Sequence, residues 1–241
     1  MMDRAPSAHT VKSFDDEIHQ LRSLIGQMGG LAEAQTTDAV SALVRRDTDA
    51  ALEVVAKDAE IDTLEGEAEQ LAISMIALRA PLADDLREIV AALKISAMLE
   101  RIGDYAKNIA KRVPVLTQAA PIGPGVIIPE MARAAASMIR DALDCYVDRD
   151  PELARAVAER DQQVDDFYNS LFRSLLTYMM ENPHHITPAT HLLFIAKNLE
   201  RIGDHATNLA EMVYFSVTGA QLGDRPKTDN TATIAAPDVT D

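Results

Sequence analysis

The chain has 241 residues, with 38 acidic against 23 Lys and Arg, for a formal charge of −15 at pH 7. That surplus argues against a nucleic-acid backbone or an anionic lipid surface as partner, since both are held chiefly by Lys and Arg. Aromatic residues make up 4%, Trp is absent and Cys145 is the single cysteine, which disfavours sheet-rich folds, disulfide scaffolds and Cys-rich zinc sites.

The first residues, Met1-Met2-Asp3-Arg4-Ala5-Pro6-Ser7, lack the apolar core of a secretory leader. No stretch reaches the ~18 uncharged apolar residues of a membrane span, so a cytoplasmic protein without membrane insertion is expected. Phe14, Ile18, Leu21, Ile25 and Met28 then recur at helical spacing, and Ala32, Ala39 and Leu43 extend that face beyond Gly29-Gly30. The pattern predicts one long helix, bent at the glycines. Asp47 is placed to cap a second helix, whose apolar positions Val54, Ile61, Leu64, Ala68, Leu71, Ala72 and Met75 lead to a break at Pro81.

A third helix carries Ile95, Leu99, Ile102, Ala106, Ile109 and Val113 and is expected to stop at Pro114. Between Pro114 and Gly125 three prolines and two glycines mark a linker. The plan then repeats, with helices expected from about Pro129 to Val147, Pro151 to Met180 and Pro188 to Val217. Past Gly219 the chain is polar and lacks aromatics, too little apolar surface to offset ordering entropy, and 219–241 reads as a disordered tail.

The halves are duplicates. Leu99-Glu100-Arg101-Ile102-Gly103-Asp104 recurs as Leu199-Glu200-Arg201-Ile202-Gly203-Asp204, and 12 of 23 positions match between 91–113 and 191–213. Upstream, Asp58 and Asp62 correspond to Asp161 and Asp165. Each pair is spaced i, i+4, which puts both carboxylates on one helix face. In an antiparallel hairpin, residues equidistant from the turn face each other; about Pro81 this pairs Asp62 with Glu100 and Asp58 with Asp104. About Asn182-Pro183 it pairs Asp165 with Glu200 and Asp161 with Asp204.

Four carboxylates per repeat repel by roughly 1 kcal/mol per pair at ~4 Å in water. They lie off the core stripes and are expected on the outer surface. Oxygen ligands without Cys or His suit magnesium, calcium, manganese or iron; the competing reading is a solvated face screened by Lys57, Lys107 and Lys111. The mid-helix Gly103 and Gly203 each cost about 1 kcal/mol relative to Ala, which a close approach by a neighbouring helix would explain. Neither acidic helix carries the Glu-x-x-His of ferritin-like di-iron proteins.

The duplicated Leu-Glu-Arg-Ile-Gly-Asp, followed by Tyr105-Ala106 or His205-Ala206, together with the upstream Asp-x-x-x-Asp pairs, resembles the PhoU family of phosphate-uptake regulators. The resemblance covers about 8–218. It implies an all-α fold of two tandem, pseudo-symmetric three-helix bundles, six long helices in all, with repeats at 8–117 and 126–218. It also implies a non-enzymatic, cytoplasmic negative regulator of the phosphate-starvation response that contacts the phosphate ABC transporter's ATPase subunit and a phosphate-sensing histidine kinase, with a homodimer as a further assembly. Some members bind iron or zinc clusters on their acidic pairs, so iron, zinc, manganese or magnesium is expected at Asp58, Asp62, Glu100 and Asp104 and at Asp161, Asp165, Glu200 and Asp204. Tyr105 departs from the His of the second repeat. The alternative is an enzyme or simple metal binder that uses a carboxylate metal cluster for hydrolytic or redox chemistry.

Overall fold

The computed structural model describes residues 8–223. Helix α1 (Ala8–Arg45) runs unbroken through Gly29-Gly30, followed by α2 (Thr48–Arg79) and α3 (Ala83–Ala110). The linker holds a single turn, α4 (Val113–Leu116), and a 3-10 segment over Gly123–Ile127. The second half comprises α5 (Ile128–Asp148), α6 (Pro151–Glu159), α7 (Asp161–Glu181) and α8 (Ile186–Thr218). With α6 and α7 counted as one run, the described residues form six long helical runs and no strand.

The same corner joins the first two helices of each half. Arg46 and Arg149 adopt left-handed backbone, φ 56° and 54°. The next residue caps the following helix: Asp47 accepts from the Ala50 amide at 3.0 Å, and Asp150 from the Glu152 and Leu153 amides at 2.9 and 3.1 Å. Asp47 was legible as a cap; Asp150 has the same role.

The expected single helix from Pro151 to Met180 is interrupted at Arg160. Its amide donates to Val157 and its carbonyl accepts from Gln163, replacing α-helical bonds by tighter three-residue turns. The Arg160 guanidinium meanwhile reaches α5, bonding Asp141 and, at 2.9 Å, Ser137. Lys57 occupies the matching place in the first half, where α2 is continuous. The break puts Asp161 in the first turn of α7.

Helices α1, α3, α5 and α8 form the centre, with α3 on α8 and α1 on α5; α2 flanks one side and α6–α7 the other. The apolar stripes merge into one core, including Ile25, Met28, Ile95, Leu99, Ile102, Met131, Ile139, Ile195, Leu199 and Ile202. Each such fully buried side chain contributes roughly 1.5–3 kcal/mol. Gly29 permits the α1–α5 contact: a Cβ there would lie 2.3 Å from Leu143 Cδ1. Helices α3 and α8 run antiparallel. Tyr105 and His205 meet across the pseudo-symmetry axis with ring centroids 5.5 Å apart, Arg112 lies against Phe194, and Gly219 lies beside Arg87. The tail expected to be disordered lies, from residue 224, outside the described residues.

Candidate functional site: two unequal carboxylate clusters

Both hairpins close as the equidistance argument requires. Ala80, left-handed at φ 46°, ends α2 before Pro81, and Asn182, in extended backbone, ends α7 before Pro183. Gly103 and Gly203 bring the arms together: a Cβ at 103 would stand 2.8 Å from Ile61 Cδ1 and 3.7 Å from Asp58 Oδ1. At 203 it would stand 3.4 Å from both Asp161 Oδ1 and Val164 Cγ1. The repeated glycine is the point where each acidic helix crosses its partner.

In the first cluster Asp58 projects from α2 and is 5% exposed, so it is not the outer-surface residue expected. It lies off the core stripe of α2, on a flank that α3 covers. Lys107 spans the gap, bonding Asp58 and, at 2.6 Å, Asp104. Burial opposes the charge on Lys107, but its bonds to Asp104 and Asp58 outweigh this and hold the ammonium above the ordinary lysine range. Of the three lysines proposed as screens, Lys107 makes these ion pairs. Glu100 is pushed upward by burial and then by Asp104, Glu65 and Asp62, with Arg101 opposing. Glu65, raised by burial, Glu69 and Asp62, is a member of this crowd that the pairing argument missed. Its position one turn beyond Asp62 was the available signal.

The second cluster carries the same four acids with different neighbours. Glu200 is 3% exposed, again buried where the surface was expected. Lys197 donates to its Oε1 at 2.6 Å, while Oε2 is buried without a hydrogen-bond partner. Burial, Asp161 and Glu200 push Asp165 up to about 6. Asp204 is also pushed to about 6, by burial and then by Glu200, Asp161 and Asp165. Since Asp204 is exposed overall, the crowding of charge is the part of that shift the geometry carries. Thr207 stands where the first repeat has Lys107, its buried hydroxyl also unpartnered.

These environments test the fit of a metal ion. The first cluster, as arranged, does not fit one, because the Lys107 ammonium already holds the space between Asp58 and Asp104. The second fits a hard or intermediate cation: an all-oxygen donor set, a surplus of negative charge and an orphaned buried carboxylate oxygen. Among the described residues no three Asp, Glu, His or Cys side chains already stand together as ligands, so binding there requires the carboxylates to turn inward.

Fold and site define an all-α protein of two pseudo-symmetric halves, each with a hairpin that presents a four-carboxylate motif. The PhoU domain family model matches residues 25–113 and 128–213. The chain belongs to the PhoU family. It is 55% identical over 219 residues to the phosphate-specific transport system accessory protein PhoU homolog of Zymomonas mobilis, covering 91% of this chain and 92% of that protein. The homolog in Caulobacter vibrioides is 51% identical over 223 residues, covering 92% and 97%. The crystal structure of PhoU from Pseudomonas aeruginosa superposes with a TM-score of 0.84 at 37% identity, covering 86% of this chain and all of that one. The regulatory protein PhoU from Streptococcus pneumoniae gives 0.80 at 26% identity, covering 87% and 99%.

Proposed function

We propose that this chain serves a phosphate-specific transport system as a cytoplasmic accessory protein and that it silences the phosphate-starvation response when phosphate is plentiful. In this reading it contacts the ATPase subunit of the phosphate ABC transporter and a phosphate-sensing histidine kinase, and it acts by binding, not by catalysis. The observation that carries the reading is the four-carboxylate motif repeated in both hairpins of a PhoU-family fold, in relatives of nearly the same length that are called phosphate transport accessory proteins. No described helix is long and apolar enough to cross a membrane, which fits a partner that docks onto a transporter from outside the bilayer. The clusters offer fixed charge in place of an activated nucleophile, which favours regulation over the hydrolytic or redox alternative.

Within that role the second cluster is the metal-responsive element. Asp161, Asp165, Glu200 and Asp204 would hold iron, zinc, manganese or magnesium. The ion would add to the counter-charge that Lys197 supplies there and tie α7 to α8.

Deleting the gene and following a phosphate-repressed reporter at high phosphate tests the role. Derepression, restored by the wild-type chain, is expected; unchanged output overturns it. Co-purification with the transporter's ATPase subunit tests the contact separately.

A further inference from the structure

Most arginines of this acidic chain with a defined side-chain partner pair with a carboxylate, as Arg22 and Arg149 do with Glu88, Arg79 with Glu17 and Arg160 with Asp141. Arg112 does not. It is half-buried in the turn between α3 and α4, and its Nε is buried without a hydrogen-bond partner. Its guanidinium lies over the Phe194 ring, 4.2 Å from the centroid, and its Nη1 is 3.2 Å from His191 Nδ1. Burial alone lowers the Arg112 value, and burial and Arg112 lower that of His191. Among the described residues no carboxylate forms an ion pair with Arg112, whose side-chain partners are His191 and Phe194.

The geometry fixes what is left to bind. Nη1 donates to Nδ1, which sets the His191 tautomer with its proton on Nε2. Phe194 covers one face of the guanidinium and holds its plane. The Nη2 protons and the His191 Nε2–H are then unassigned donors. Phe194 is 49% exposed, so the stack opens to solvent. Nor is the trio a copy of the duplication: the matching positions hold Met212, Ala91 and Lys94.

We propose that Arg112, His191 and Phe194 form a site for a single oxyanion, a carboxylate or phosphate group. It is distinct from both acidic clusters. A planar guanidinium presents its donors in the fork that such groups accept. Stacking on an exposed aromatic reduces the ordering cost of binding.

The test follows the His191 ring signal in the full chain labelled with 13C-histidine, the peak being assigned from the His191→Gln variant. One arm titrates inorganic phosphate against chloride at constant ionic strength; the other titrates a tetraglutamate peptide. A saturable shift with phosphate identifies a free-ion site, and one with the peptide alone identifies a side-chain carboxylate of a protein. Arg112→Met is expected to weaken binding by about tenfold or more and Phe194→Leu by about threefold. Phe194→Leu, at a half-exposed position, keeps the proposal testable where Arg112→Met fails to fold. Absence of a saturable shift with both probes, or equal binding by wild type and the two variants, overturns it.

Discussion

The two carboxylate clusters share their four acids and differ in how the charge is met. In the first, Lys107 lies between Asp58 and Asp104 and supplies a built-in cation. In the second the matching residue is Thr207, the available lysine is Lys197 one turn before Glu200, and two carboxyls are pushed to about 6. Duplication thus copied the acids, while the residue facing them, Lys107 or Thr207, decides whether an ammonium stands between the two aspartates.

The largest expected effect breaks the comparison at the metal. Replacing Asp161, Asp165, Glu200 and Asp204 by their amides should weaken manganese or iron binding by about 100-fold, close to 2.7 kcal/mol. The same change at Asp58, Asp62, Glu100 and Asp104 should alter it less than about threefold. Metal content by plasma mass spectrometry and titration calorimetry check this; equal loss in the two variants would contradict the asymmetry.

Lys107→Thr installs the second repeat's residue in the first. It leaves the buried Asp58 without its partner, a loss we put at about 2 kcal/mol because Lys107 is itself partly exposed. The variant should also gain a second metal equivalent, and added metal should recover part of the lost stability in denaturant melts with and without chelator.

The crossing glycines give a smaller contrast. Gly103→Ala forces Ile61 to move from a 2.8 Å contact and should cost about 1 kcal/mol after the helix-propensity gain. Gly203→Ala meets its neighbours at 3.4 Å and should be neutral to about 0.5 kcal/mol stabilising. Urea midpoints distinguish the two.

The smallest effect is a pH dependence. Asp165 and Asp204 titrate near 6 in the folded chain against an ordinary value of 3.8. Between these values the native state binds more protons than the unfolded one, so without metal their contribution to stability falls as pH rises from about 4 to 6. The melting temperature of wild type minus that of Asp165→Asn/Asp204→Asn should therefore decline across that window. Metal affinity should rise across it, as the ligands lose their protons. A flat difference would show that the crowding is relaxed in solution.

The helices, their two hairpins and the facing of Asp62 with Glu100 and Asp58 with Asp104 were legible because local periodicity and prolines set helix length, and equal arms set register. The duplication was legible for the same reason, and with it the eight carboxylates. The sequence by itself therefore determined the all-α architecture, the repeat and the candidate ligands. The break at Arg160 was not visible, since it coincides with a contact from the Arg160 guanidinium to Asp141 and Ser137 of α5 that no local pattern announces. Neither was the burial of Asp58 and Glu200, which follows from which flank of a helix its partner covers. Assignment of Lys107 to one cluster and of Arg112 to the Phe194 face was likewise decided by tertiary packing, because a charge takes its partner, or lacks one, only after non-local helices have met.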